Sequence, residues 1–273
     1  MNTMKTMKTM KTMKTMKTMN TMKIIPMLIL TLLFMASFIT YAQEENAKDE
    51  GWNFVIAPYI WAPYTSGDVV VNGKGDEFDS KPSDMLGSLK MAGMLYFEAA
   101  NSDWSVSTDL IYVSLGDDFT TPVTSRAGSL DAKLTSIGFY GMWRAAAWFE
   151  IGLGGRYSMI SSELNVEAGQ VLPSIDEKAD DSFFDPLIVY RFTIPINNEN
   201  WKAGLRGDFG GFGTGSKFAW TVYPYGGYQF SHLFELTLGF RAFGLDFESG
   251  SGDTLHKLDL TLYGPQIGLL FHL

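Results

Sequence analysis

Three histidines, His232, His256 and His272, are the only side chains in this sequence of 273 residues whose ordinary titration lies near neutrality. His256 stands close to Asp246 and Asp253, and a histidine steered by a carboxylate can take a proton from water. No serine or second acid is set beside that couple by a recognisable spacing. Gly210-Gly-Phe-Gly-Thr-Gly215 has the composition of a phosphate-binding loop. Such a loop needs a helix after it, with its N-terminus on the anion, and a Lys-Ser/Thr pair. The next residues, Lys217-Phe-Ala-Trp-Thr-Val222, have a strand composition, so the glycines are read as a tight strand connection. Acidic clusters occur at Asp76, Glu77, Asp79 and Asp84, at Asp117 and Asp118, and at Asp176, Glu177, Asp180 and Asp181. They lack the spacing of a calcium loop and are read as a solvated acidic rim. With no cysteine in the chain, disulfides, thiolate metal sites and cysteine nucleophiles are absent together. No catalytic, cofactor-binding or metal-ligating residue is assigned, and no cofactor is expected.

The elements that must carry these residues are strands. From Trp52 onward no segment keeps a 3.6-residue apolar period, whereas alternation with a period of two recurs between Gly, Asn, Asp and Ser clusters. In 147–159, Glu150, Gly152, Gly154, Arg156 and Ser158 alternate with Ile151, Leu153, Gly155, Tyr157 and Met159. In 234–242, Glu235, Thr237, Gly239 and Arg241 oppose Phe234, Leu236, Leu238 and Phe240. The last strand is the plainest case. Tyr263, Pro265, Ile267, Leu269, Phe271 and Leu273 share one face that is apolar throughout. Such a face suits a strand whose outer side meets lipid.

The ionised residues on the opposite faces separate two architectures. Lys90, Glu98, Asp109, Arg144, Glu150, Arg156, Asp185, Arg191, Arg206, Asp208, Glu235 and Arg241 would each lie inside a soluble β-core, where an unpaired charge costs several kcal/mol. Lining the lumen of a membrane barrel, they have water or an opposite charge at hand. The expected fold is therefore all-β: a closed antiparallel up-and-down transmembrane β-barrel of about ten strands, with eight or twelve as the alternatives.

The expected strands are 52–62, 87–100, 103–115, 132–146, 148–162, 183–195, 200–209, 217–231, 233–247 and 257–273. Val69-Val70-Val71 can add a hairpin within the first long loop. Tight turns at 101–103, 146–147, 197–200 and 231–232 alternate with longer polar stretches at 64–86, 116–129, 164–182, 210–216 and 248–256. Short turns belong on the periplasmic side and long loops outside. Tyr59, Trp61, Tyr64, Trp104, Tyr112, Trp143, Trp148, Trp201, Trp220, Tyr223, Tyr225 and Phe271 fall near strand ends and are read as interfacial girdles. A barrel of this size filled by long charged side chains should be narrow and largely occluded. Gly152, Gly154, Gly204 and Gly239 on its inner face would leave a recess for a small ligand.

The N-terminus carries an address. Residues 1–22 are a Met-Lys-Thr repeat with no core-forming pattern, read as a repeat-expanded or misassigned start upstream of Met22. Lys23, the apolar run Ile24–Ile39 and the small residues before Gln43 make a secretory signal peptide cleaved after Ala42. Residues 43–51 would form a short periplasmic segment and 52–273 the barrel. Removing 1–42 takes six lysines and no acid, leaving 15 basic against 30 acidic residues, a net charge near −15. That surface argues against nucleic acid as a partner.

Three stretches, Trp52-Asn-Phe-Val-Ile-Ala-Pro-Tyr-Ile-Trp61, Arg206-Gly-Asp-Phe-Gly-Gly-Phe-Gly-Thr-Gly-Ser216 and Gly264-Pro-Gln-Ile-Gly268, resemble a family of small outer-membrane β-barrel proteins of Gram-negative bacteria, mostly without assigned activity. The resemblance covers roughly 50–273 and implies the cell outer membrane as location. It implies lipid and lipopolysaccharide as surroundings, and barrel-insertion machinery and periplasmic chaperones as partners of assembly. It supplies no catalytic residues. Against a structural or small-solute barrel stand two alternatives: an outer-membrane hydrolase using His256 with Asp246 or Asp253, and a secreted, soluble lipocalin-like binder.

Overall fold

A computed structural model describes residues 51–273 except 72–73, 121–126, 169–173, 197–199 and 253–254. The Met-Lys-Thr repeat, the signal-peptide segment and the cleavage point before Gln43 lie outside the described residues, as do the turn residues 197–199 and Asp253.

Alternation of small or apolar residues with polar ones draws the described chain into twelve strands and one short helix. They are β1 (Asn53–Trp61), β2 (Tyr64–Val71), β3 (Lys74–Ser80), α1 (Pro82–Gly87), β4 (Leu89–Ala100), β5 (Trp104–Thr120), β6 (Ala127–Ala146), β7 (Phe149–Val166), β8 (Ile175–Ile196), β9 (Trp201–Gly210), β10 (Phe218–Ser231), β11 (Phe234–Ser249) and β12 (His256–His272). β1 and β4 to β12 pair in sequence order, every pair antiparallel, and β1 pairs β12 to close the ring. This is the closed ten-stranded barrel, with β2 and β3 as an extra hairpin that includes Val69-Val70-Val71. Closure leaves no edge along most of the wall, which is what a sheet surrounded by hydrocarbon requires.

Several strands run farther than the alternation suggests. Residues 116–120, 127–129, 164–166 and 175–182, whose polarity points to loop, continue the ladders of β5 to β8. A transmembrane strand needs about 9–11 residues. The 17 to 22 residues of β5 to β8 therefore overreach a bilayer, and the overreaching ends can be polar on both faces because water surrounds them.

Outward side chains form an exposed apolar band. Leu153 is 72 % and Leu238 55 % exposed, with Phe139, Phe240, Ile267 and Leu269 beside them in the same class. Trp52, Trp104, Trp143 and Trp201 are about half exposed, all near the ends that carry the tight turns. That is an interfacial girdle. Four of the expected girdle residues are elsewhere. Tyr59 and Trp61 are buried, and Tyr223 and Tyr225 line the lumen. Their positions share the inward parity of Ala57 and Thr221, so proximity to a strand end is a poor guide to direction.

The wall is not continuous everywhere. β1 pairs β4 only over Asn53–Pro58 opposite Leu95–Ala100. Beyond that, Tyr59 to Trp61 stay with β12, β2 follows β12 from Lys257 to Tyr263, and β3 pairs β2 alone. Among the described strands, residues 89–94 of β4 therefore have β5 as their only ladder partner, and α1 bridges from β3 to β4. Pro58 and Pro63 bracket the departure and supply no N–H to either neighbour. The bend at Ala62-Pro63 presses on β12 at Gly264, where an added Cβ would stand 2.3 Å from the Ala62 carbonyl oxygen and 2.8 Å from Pro63 Cα. Gly264→Val is expected to unseat this bend and reduce the fraction of chains reaching the compact barrel, read as the fast-migrating band of unheated protein on a denaturing gel. A folded fraction equal to wild type would contradict the close approach.

Candidate functional site

Inside the barrel the two halves differ in chemistry. Toward the end with the tight turns, charges from different strands meet. The Arg156 guanidinium on β7 donates to both carboxylate oxygens of Asp208 on β9, at 2.8 and 2.9 Å, and to Thr221 Oγ1 on β10 at 3.0 Å. Arg241 on β11 donates to Asp109 on β5 at 3.1 Å and to the Tyr59 hydroxyl on β1 at 3.2 Å, while Tyr59 itself donates to Asp109 at 2.5 Å. Arg191 on β8 joins Glu98 on β4 and Glu150 on β7, and Arg144 reaches the same Glu150 at 3.0 Å. Arg206 lies over the rings of Tyr96 and Tyr140, 4.5 and 4.7 Å from their centroids, a favourable cation–π arrangement. Nearest the turns, Glu235 accepts from Lys202 at 2.8 Å and sits 3.2 Å from the His272 ring.

These contacts account for most of the ionised residues singled out in the sequence. Glu98, Asp109, Arg144, Glu150, Arg156, Arg191, Arg206, Asp208, Glu235 and Arg241 stand in several interior clusters, each joining more than one strand. Asp185 does something different. It is fully buried and accepts from the backbone N–H and the hydroxyl of Ser216, at 2.7 and 2.8 Å. It thereby holds the glycine-rich turn, where Gly211, Phe212 and Gly213 all have positive φ, against the inside of β8.

Lys90 departs from its expected place. The β4–β5 register shifts between Leu89 and Met91, and the extra residue carries the Lys90 ammonium to Asp131 with the side chain about half exposed. A bulge inverts the side-chain direction that alternation would assign. The expected recess at the inner-face glycines is filled as well. An added Cβ at Gly154 would meet the Tyr140 ring at 2.6 Å, and one at Gly204 the Tyr225 ring at 2.2 Å. Gly152 and Gly239 are closed by backbone oxygens. The glycines make room for tyrosine rings and for close-set strands.

The histidine couple does not assemble as the sequence suggests. Asp246 pairs opposite Asp259, and His256 opposite Ser249. Asp246 has the parity of the outward residues of β11, and His256 that of the inward Leu258 and Leu260. His256 Nδ1 instead lies 3.6 Å from Asp181 of β8, across the barrel mouth. Among the described residues no group of three or more His, Asp or Glu is placed to hold a metal ion. On the protruding ends of β7 and β8, the Ser161 hydroxyl and then Lys178 hold the Asp180 carboxyl below the usual carboxylate range.

The other half of the lumen is apolar, and sequence alternation misses it. Tyr59, Trp61, Ile111 and Leu262 form one buried cluster, and Phe183, Ala219, Leu245 and Phe247 another. Leu258, Leu260, Val113 and Ile160 fill in around them. The signal is present. Ile111-Val113-Leu115 and Leu258-Leu260-Leu262 carry three successive apolar residues at the inward parity, where the turn-side positions are Ser105, Ser107 and Asp109 on β5 and mainly glycine or polar residues on β12. Two cavities lie among the described residues. One of about 190 Å³ sits among Tyr96, Asp109, Arg206, Arg241 and Gln266, and is polar enough to hold several waters. The other, of about 430 Å³, opens beside β1, α1 and β4 and is almost wholly apolar.

No family profile and no curated protein matches this chain. Among solved structures it is similar to the outer-membrane protease OmpT of Escherichia coli, with 10 % identity, 84 % of this chain and 99 % of that one covered, and a TM-score of 0.46. It is similar to the translocator domain of the autotransporter NalP of Neisseria meningitidis, with 9 % identity, coverage of 90 % and 96 %, and a TM-score of 0.40. It is also similar to Ail, the attachment invasion locus protein of Yersinia pestis, with 12 % identity, coverage of 82 % and 99 %, and a TM-score of 0.39. The likeness is one of barrel architecture.

Breaking a buried ion pair from one side strands the other charge. Arg156→Ala should therefore destabilise the barrel by about 3–5 kcal/mol, measured by denaturant unfolding in lipid vesicles. Arg156→Leu combined with Asp208→Leu should recover most of that loss. Equal losses in the single and double variants would show that the pair is not coupled.

Proposed function

We propose that this chain is an integral outer-membrane barrel whose turn-side half is an electrostatic plug, and that its work is to bind a small molecule in the lumen rather than to pass solutes through an open pore. The apolar outer band and the indole girdle support a bilayer environment: a wall with Leu153 and Leu238 this exposed would aggregate in water. The expected signal peptide and the resemblance to small outer-membrane barrels support the outer membrane in particular.

The observation that carries the reading is the cross-lumen network. Arg241–Asp109 and Arg191–Glu98 join strands four apart around the ten-strand ring, Arg156–Asp208 reaches past β8 from β7 to β9, and Glu150, six residues nearer the turns than Arg156 on β7, extends the layer toward them. Each guanidinium there is already neutralised and hydrogen-bonded, so an ion crossing would have to displace a buried pair. The polar cavity of about 190 Å³ lies within this layer and is bounded by it. The His256–Asp181 contact favours a positioning role over hydrolysis, because it ties the ends of two strands across the mouth and lies apart from both cavities.

Reconstitution into planar bilayers tests the plug. Wild-type protein should give no steady open channel. Arg156→Ala with Arg241→Ala, provided the compact band persists on an unheated gel, should give frequent conducting events. A large, steady conductance from the wild type would overturn the proposal.

A further inference from the structure

We infer that the outer half of the barrel is a binding site for one apolar ligand of hydrocarbon character, and that the ligand passes sideways between lipid and lumen through the parting of β1 from β4. This rests on the membrane-barrel reading above and adds to it the class of ligand and the route.

Two independent features meet at one place. The first is the wall. Among the described strands, β4 from Leu89 to Met94 has no hydrogen-bonded neighbour on the β1 side, since β1 leaves it after Pro58 and the β2–β3 hairpin turns away along β12. The second is the cavity of about 430 Å³, within the range of about 300–1,000 Å³ that small-molecule sites occupy. Its deep lining is inward-facing: Ile111, Val113, Leu134, Ile160, Leu260 and Leu262. Its rim includes Ile60, which is 68 % exposed on the outer face, together with Gly93 and Leu86. One continuous space is thus bordered by lumen residues at one end and by lipid-facing residues at the other.

The chemistry of the lining selects the ligand. No ionised side chain of the interior network borders this cavity, and Lys133, which does, has the outward parity of β6. A charged molecule would therefore be desolvated without compensation. Trp61 lines the cavity, and the Arg241 guanidinium lies 5.0 Å from its ring centroid. A molecule made chiefly of hydrocarbon fits this lining. The parting explains the route, because such a molecule is concentrated in the bilayer and would otherwise have to cross water to reach the mouth. Gly93 keeps the gap clear: an added Cβ there meets nothing within 4 Å, so the opening can be filled by mutation without disturbing a packed neighbour.

The test uses the full mature barrel, purified in detergent, with dodecan-1-ol as probe and native mass spectrometry as readout. Compactness of each variant is checked on an unheated gel, so that loss of the barrel is told apart from loss of the site. Wild type should retain one dodecan-1-ol, and Val113→Trp, or Leu134→Trp if the first does not fold, should retain none. In lipid vesicles, Gly93→Trp should slow exchange of bound for deuterated dodecan-1-ol by about tenfold or more. A compact wild-type barrel that carries no dodecan-1-ol, or a filled-cavity variant that carries as much as wild type, overturns the site. Exchange at the wild-type rate in Gly93→Trp overturns the lateral route.

Discussion

A peptide N–H or C=O facing hydrocarbon without a partner costs several kcal/mol, and everything in this molecule is arranged around that cost. Ten strands close on themselves, β1 to β12, so that nearly the whole ladder is satisfied within the wall. Where β1 parts from β4 the ladder lapses. There the chain places two prolines, which have fewer groups to satisfy, and a short helix in which the N–H groups of Asp84, Met85 and Ser88 donate within the turn. Breaks in a barrel wall are costly enough to need a reason, and an apolar cavity directly behind this one supplies it.

The same low dielectric that makes backbone pairing obligatory shapes the lumen. In the half near the tight turns, guanidinium groups are met by carboxylates, phenols and tyrosine faces from other strands. No single strand could satisfy Arg156, Arg191 or Arg241: Arg156 and Arg191 find carboxylates on nearby strands, whereas the contacts of Arg241 with Asp109 and of Arg191 with Glu98 need the curved, closed ring. The network therefore depends on the barrel, and it cross-braces the barrel in return. In the other half, Ile, Leu and Phe replace most of the charges, and Asp185, held by Ser216, is the buried carboxylate beside them. Between them the interior is graded from polar plug to apolar pocket along the axis.

The stretch Arg206–Ser216 joins several of these constraints. Arg206 lies between two tyrosine rings, Asp208 takes Arg156, and Ser216 donates twice to Asp185. Its glycines serve the positive φ of the turn that lets Ser216 fold back to β8. A segment conspicuous in the sequence for its glycines is thus a tether and a source of plug residues, with no anion site required to explain it.

Local alternation is enough to read strands, their antiparallel order, the outward apolar face and most of the inward charges, because side-chain direction in a strand repeats every two residues whatever lies around it. It is not enough where the period is interrupted or where both faces are apolar. Alternation puts Lys90 inside, yet it emerges outside, because one extra residue in β4 reverses the direction and nothing in the sequence marks the bulge. Tyr59 and Trp61 look like girdle residues, since an aromatic near a strand end has the same local sequence facing the membrane interface or facing the lumen. His256 lies near Asp246 in the chain, and the ladder puts them on opposite faces. Composition and periodicity by themselves determined that this chain makes a barrel with a greasy outside, since both are properties of each strand alone. Which charges meet, where the wall parts and what kind of space lies behind it were decided by closure, because those depend on residues brought together from opposite sides of a ring.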